Sequence, residues 1–190
     1  MTIVKNITKV LSLFVMLVLF IAIQVRSTDA QQQKLGEYEV KAAFMYNFMK
    51  FIEWPDNAFP DNHVTMNLCI LGKDSFGSTL DSAVQGETIN NKKIVIKRLN
   101  DTHSLEKCHV LFISGSEQEH LTQILKTLNG LNILTVGDTK GFAQQGVVIN
   151  FYIEENKVRF EINQDAVNRS RLKISSRLLN LAKIVHDESK

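Results

Sequence analysis

The sequence predicts a single Rossmann-like α/β domain. It should have a mostly parallel sheet, helices on both faces and an antiparallel hairpin at the C-terminal edge. Three observations point there. Short apolar runs such as Thr65 to Leu71 and His109 to Ile113 suit buried strands, and they alternate with segments of helical periodicity. The segments between them are long enough for parallel crossovers. Val147 to Ile153 and Lys157 to Ile162, by contrast, are separated only by Glu154-Glu155-Asn156, which forces an antiparallel pair.

The first element is a helix from about Glu37 to Trp54. At 100° per residue, Val40, Phe44, Met45, Phe48, Met49, Phe51 and Ile52 cover roughly half its circumference, more than the stripe of about 100° that a surface helix needs. It is therefore expected to lie deep against the sheet. Pro55 disfavours helical geometry at Trp54 and ends it. Thr65 to Leu71 is a strand followed by Gly72, and Ser78 to Gln85 a helix closed by Gly86. Ile94 to Arg98 alternates as a strand.

His109 to Ile113 is the clearest strand. Ser116 with Glu119 has the spacing of a capping box, opening a helix whose Leu121, Ile124, Leu125 and Leu128 share a face. Gly130 ends it, and Ile133 to Val136 is the next strand. After the connector Gly141 to Gly146 and the hairpin, Asp165 to Arg171 reads as a helix. Ser175 or Ser176 caps a last helix with Leu178, Leu181 and Val185 inward.

The 190 residues suit one domain at positions 31–190, preceded by a signal peptide at positions 1–30. Lys5 and Lys9 precede the apolar run Val10 to Ile23, too short for a comfortable membrane span, and Thr28-Asp29-Ala30 offers a small-residue cleavage site. Taking Lys5, Lys9 and Arg26 from 22 basic residues and Asp29 from 20 acidic ones leaves 19 of each. A formally neutral exported domain lacks the basic excess that nucleic-acid binding calls for. In an oxidising compartment Cys69 and Cys108 are expected to form one disulfide, closing a loop of about 40 residues. If the strand order is 2-1-3, the strands bearing them are neighbours.

Catalytic and cofactor motifs are missing. Gly72 and Gly77 have phosphate-loop spacing and Ser78 follows, but the lysine that should come directly after the second glycine is absent. No Gly-x-Gly-x-x-Gly, Gly-x-Ser-x-Gly or Cys-x-x-Cys occurs, and His63, His103, His109, His120 and His186 show no metal-ligand spacing, which leaves them surface or cap roles. No enzyme activity, metal or cofactor is predicted. Open parallel sheets gather ligands beyond the carboxyl ends of their strands, at the switch in strand order. Gly72, Asp74, Ser114, Ser116, Gly137 and Asp138 would stand there, as loops for a ligand or a partner.

Six stretches together resemble the YfiR family of small exported regulators: Lys41 to Pro55, Cys69 to Gly72, Cys108 to Ile113, Leu134 to Asp138, Arg159 to Asn163, and Leu172 to Ser176 with the leucines after it. The resemblance implies a periplasmic, non-enzymatic protein that binds the periplasmic part of a membrane-bound diguanylate cyclase and represses cyclic-di-GMP signalling. It also implies an outer-membrane lipoprotein that draws the inhibitor away, and a homodimer. Cys69 and Cys108 match one family disulfide. A second pair found in some members between Gln144 and Tyr152 has no counterpart, and Gln145-Gly146 stands where the family often has two glycines. The alternative reading is a periplasmic ligand-sensing adaptor for a sensor kinase or another membrane receptor.

Overall fold

The computed structural model describes residues 35–59 and 64–188. The chain divides into two units, Met1–Tyr38 and Glu39–Lys190. Of the first, only the helical residues 35–38 are described, so the expected signal peptide lies outside the described residues. The second unit carries every strand of both sheets.

Helix α1 spans 35–50, and the two-residue strand β1 (Ile52–Glu53) follows almost at once. The expected run to Trp54 is thus cut short, for a tertiary reason. Ile52 and Glu53 pair antiparallel with Ile174 and Lys173 of β9 (Lys173–Ile174), and Phe51 O accepts from Ser175 N at 2.9 Å.

The main sheet contains β2 (Thr65–Leu71), β3 (Thr88–Ile89), β4 (Lys92–Leu99), β5 (Val110–Ile113), β6 (Leu134–Gly137), β7 (Ile149–Glu154), β8 (Lys157–Asn163) and β10 (Lys183–Val185). Its order is β10-β8-β7-β6-β5-β2-β4-β3. The strands β4-β2-β5-β6-β7 are mutually parallel and follow the 2-1-3-4-5 order of flavodoxin-like sheets.

The hairpin β7–β8 forms in register from Ile149↔Ile162 to Glu154↔Lys157. Its two turn residues, Glu155 and Asn156, both take the positive φ that such a tight turn requires. It is not the sheet's edge, because β10 pairs parallel outside β8. The last segment was expected to continue as a helix. Only Ser176–Leu179 is helical (α5), with Ser175 as its cap; Leu181 is exposed and Val185 lies in β10. At the other edge, Asn90 and Asn91 at positive φ turn β3 back onto β4, a hairpin that two-residue pairing made too short to read from periodicity.

Both faces carry helices. Alternation along β5 sends Phe112 one way and Leu111 and Ile113 the other. On the Phe112 side stand α1 and Phe76, which precedes α2 (Ser78–Val84); the Phe76 and Phe112 rings meet edge to face, centroids 4.8 Å apart. Phe48 of α1 stacks on Phe151 at 5.4 Å and meets Phe160 edge-on at 5.0 Å. On the other face Leu121 and Ile124 of α3 (Leu121–Thr127) join Cys69, Leu71, Leu111, Ile113 and Phe142 in one buried cluster. Each fully buried side chain of this size contributes about 1.5–3 kcal/mol. Ahead of α3 runs a 3-10 stretch, Gly115–His120, capped by Ser114 and not by Ser116. The Ser114 Oγ accepts from Ser116 N at 3.4 Å. Helix α4 (Gln164–Ser170) is capped by Asn163 and closed by Arg171 in the left-handed region.

Cys69 and Cys108 are joined, with Cα atoms 5.9 Å apart. The neighbouring of β2 and β5 makes this possible, and the bridge lies inside the α3-side cluster. The closed loop constrains the unfolded chain. Cys108→Ala is expected to lower stability by about 2–5 kcal/mol, measured by urea unfolding of the oxidised protein.

Candidate functional site

The parallel strands β2, β5 and β6 end side by side, and the six residues expected to form a site stand just beyond them: Gly72 and Asp74 after β2, Ser114 and Ser116 after β5, Gly137 and Asp138 at the end of β6. They do not enclose an open crevice. Gly72, at φ +85°, lies so close to the next loop that a Cβ there would come within 2.5 Å of Glu117 Oε1 and 2.8 Å of Glu117 Cγ. Lys73 N donates to Ser116 Oγ at 3.0 Å. At the switch in strand order the protein's own side chains occupy the place where such sheets usually hold a ligand.

Neighbouring groups are equally engaged. Asp74 Oδ1 accepts from Phe76 N at 2.7 Å and Gly77 N at 3.2 Å, while its Oδ2 pairs with Arg98 Nε at 2.7 Å. Arg98 also reaches Asp81 Oδ2 at 2.5 Å, and that hydrogen bond holds the Asp81 carboxyl below its ordinary range. Hydrogen bonds from the guanidinium to Asp81 and Asp74 in turn raise the Arg98 pKa. Asp138 binds Lys41 Nζ of α1 at 2.7 Å, with only 4% of the lysine side chain and 10% of the aspartate side chain exposed. Helical periodicity pointed to Val40 as inward, yet Val40 is exposed and Lys41 buried. The burial follows from a partner that sequence spacing cannot supply, 97 residues away.

An opening lies at the opposite, amino ends of β6 and β7. A cavity of about 680 Å³ separates α3 from α4, walled by Leu125, Leu128, Ile133 and Val148, with Gln144 and Arg169 as polar lining. None of the six expected residues lines it. Gly146, at φ +113°, faces Arg169, whose Nη2 would lie 3.0 Å from any Cβ added there.

Gln144 Nε2 donates to Glu161 Oε2 at 3.3 Å and Asn150 Nδ2 to Glu161 Oε1 at 3.4 Å. The buried Gln144 Oε1 and Asn150 Oδ1 find no donor among the described residues. Arg169 is held by Asp187, through Nη1–Oδ2 at 2.5 Å and Nη2–Oδ1 at 3.1 Å, and Asn163 Nδ2 donates to the same carboxylate at 2.7 Å. The Arg169 hydrogen bond, reinforced by the one from Asn163, keeps the Asp187 carboxyl below its usual value against the opposing effect of burial. These residues went unnoticed in the sequence. Asn150 and Glu161 had one signal, a polar residue at an inward position of an apolar strand, which implies a buried partner.

His109, expected at the surface or a cap, is buried. Its ring stacks on Phe59 with centroids 4.4 Å apart, and Nδ1 accepts from Asn67 N at 3.0 Å. Among the described residues no group of three His, Cys, Asp or Glu could hold a metal ion.

The pattern that defines the YfiR/HmsC-like family matches residues 38–183. The chain belongs to that family. No curated protein matches it. Among solved structures, this YfiR/HmsC-like chain is similar to a conserved domain protein from Vibrio cholerae, with a TM-score of 0.47 and 9% identity over 62% of this chain and 54% of that one. It is also similar to an ABC domain from Streptococcus pneumonia in complex with L-Trp, with a TM-score of 0.47 and 8% identity over 63% and 56%. A third is the ligand-free, open form of a substrate binding protein with adhesive properties from Clostridium difficile, with a TM-score of 0.46 and 10% identity over 65% and 55%. The chain spans little more than half the length of each of these proteins.

Two outcomes test the ion pairs. Lys41→Ala removes the buried cation that faces the Asp138 carboxylate and should cost about 3–5 kcal/mol, whereas the pair Lys41→Met with Asp138→Leu should recover most of that loss in urea unfolding. The depressed Asp187 carboxyl contributes stability that is present above its unfolded value, about 4, and is lost as pH falls through the lower folded value. Asp187→Asn should therefore flatten part of the acid-side decline in thermal stability and leave the slope near neutral pH unchanged.

Proposed function

We propose that this protein is a periplasmic, non-enzymatic negative regulator that binds the periplasmic part of a membrane-bound diguanylate cyclase and represses cyclic-di-GMP signalling. The observation that carries the reading is membership of the YfiR/HmsC-like family across residues 38–183. The closed crevice at the switch point supports it, since the carboxyl-end loops are rigidly tied and suit contact better than turnover. In this reading Gly72, Asp74, Ser114, Ser116, Gly137 and Asp138 belong to loops that a partner touches. The leader-like N-terminal sequence supports export, and among the described residues no helix is long and apolar enough to cross a membrane. A homodimer and an outer-membrane lipoprotein that competes for the inhibitor complete the reading. Binding energy should concentrate in a few anchors within about 800 Å² per partner.

One observation favours a second reading, a ligand-sensing adaptor for a sensor kinase or other receptor. The cavity between α3 and α4 is of ligand size, and the buried Gln144 Oε1 beside it awaits a donor.

Deleting the gene should raise cellular cyclic-di-GMP, and re-supplying an exported form should lower it again, while a form without positions 1–30 should not. Unchanged cyclic-di-GMP together with loss of a sensor kinase response would favour the adaptor.

A further inference from the structure

The main sheet ends on one side in β4, which β3 covers only in part. The pairs Ile89↔Lys92 and Thr88↔Lys93 are the whole of that ladder, whereas β4 continues to Leu99. Lys93 N donates to Val64 O and Leu99 O accepts from Gly72 N, so Lys93, Val95, Lys97 and Leu99 turn their backbone groups toward β2. Alternation then turns the N–H and C=O of Ile94, Ile96 and Arg98 outward. Among the described residues no strand pairs with them.

The side chains along this edge are as specific as its backbone. Lys93, Val95 and Lys97 lie in register with Thr65, Asn67 and Cys69, hence on one face, and Val95 is exposed. Neither Lys93 nor Lys97 has an acidic partner among the described residues, while Arg98 is already neutralised by Asp74 and Asp81. We propose that the edge of β4 from Ile94 to Leu99 takes an extended segment of a partner protein as an added strand. That segment carries an acidic residue opposite Lys97 and an apolar residue opposite Val95; Thr88 already stands opposite Lys93, so a second acidic residue reaches that ammonium from the end of the segment.

Main-chain hydrogen bonds supply the affinity of strand addition, and the alternating side chains supply the choice. A second copy of the chain fits poorly. Lys92, Lys93, Lys97 and Arg98 are basic and Lys92–Leu99 contains no acidic residue, so two such edges would set like charges side by side. Lysines on an open edge repel unwanted pairing, and here the same charges admit an acidic strand. The proposal holds whichever membrane protein the chain regulates.

The probe is an acetylated and amidated heptapeptide, Thr-Glu-Val-Val-Val-Glu-Thr, titrated to millimolar concentration into natively processed, oxidised protein and followed by amide NMR. Saturable shifts should centre on β4, and exchange of the Ile94, Ile96 and Arg98 amides should slow by at least about tenfold. Replacing both glutamates of the peptide by glutamine should weaken binding about three- to tenfold. Backbone N-methylation of the peptide should abolish it, as should Ile96→Pro, which removes an outward donor without touching the β2 ladder. Lys93→Glu with Lys97→Glu should reverse the preference toward a peptide carrying lysine in place of glutamate, so the test does not depend on the proline variant folding. No saturable shift, or lysine shifts without protection of the three amides, overturns the proposal. So does protection of those amides that rises with protein concentration alone, which would assign the edge to a second copy.

Discussion

Phe48 holds the described domain together. Its ring lies between α1 and the β7–β8 hairpin, stacked on Phe151 and edge-on to Phe160, with Phe44 packed alongside against both rings. The contact joins the start of the domain to a hairpin about a hundred residues later, so neither can be placed without the other. Once α1 is seated, Lys41 reaches Asp138 at the end of β6, and Ile52 and Glu53 are delivered to β9. Aromatic burial supplies the energy, and the ion pair and short ladder set the alignment. A desolvated pair such as Lys41–Asp138 contributes little net stability but tolerates no missing partner.

That seating also decides which end of the sheet is closed. With the 2-1-3-4-5 strand order, the switch point lies between β2 and β5, the customary ligand position in open parallel sheets. Here Ser116 and Glu117 fill the space over Gly72, and Lys41 seals Asp138. Open space lies at the other end, between α3 and α4, beside which the buried Gln144 Oε1 finds no donor among the described residues. A scaffold with its usual site occupied by its own side chains has surfaces left to offer, which agrees with a regulator working through contact.

The two edges of the sheet are handled differently. Beside the hairpin, β10 lies parallel to β8, and Asp187 just beyond it is anchored by Arg169 and Asn163. At β4 the cover stops after Lys93, and the remaining edge is marked by the charges of Lys97 and Arg98. Charge is a weaker barrier than a strand, and it discriminates by sign.

Much of the fold was legible from local pattern. The runs at Thr65–Leu71 and Val110–Ile113, the helical spacing of Leu121 and Ile124, and the short gap at Glu155-Asn156 are properties of neighbouring residues, where periodicity acts directly on the backbone. The cysteine pairing was legible too, because the parallel order brings β2 and β5 together. Tertiary structure alone decided the end of α1, the shortening of the final helix ahead of β10, the burial of Lys41 and His109, and the position of the cavity. Each depends on a partner tens of residues away. Ile52 to Trp54 follow a helical pattern, yet pairing with β9 satisfies the backbone equally well and buries Ile52. Leu181 and Val185 share a helical spacing, but the exposed edge of β8 offered Val185 a ladder that periodicity could not foresee. The sequence by itself determined which segments could be strands and helices. Which of those possibilities was realised depended on backbone hydrogen bonds made only after the chain had folded on itself.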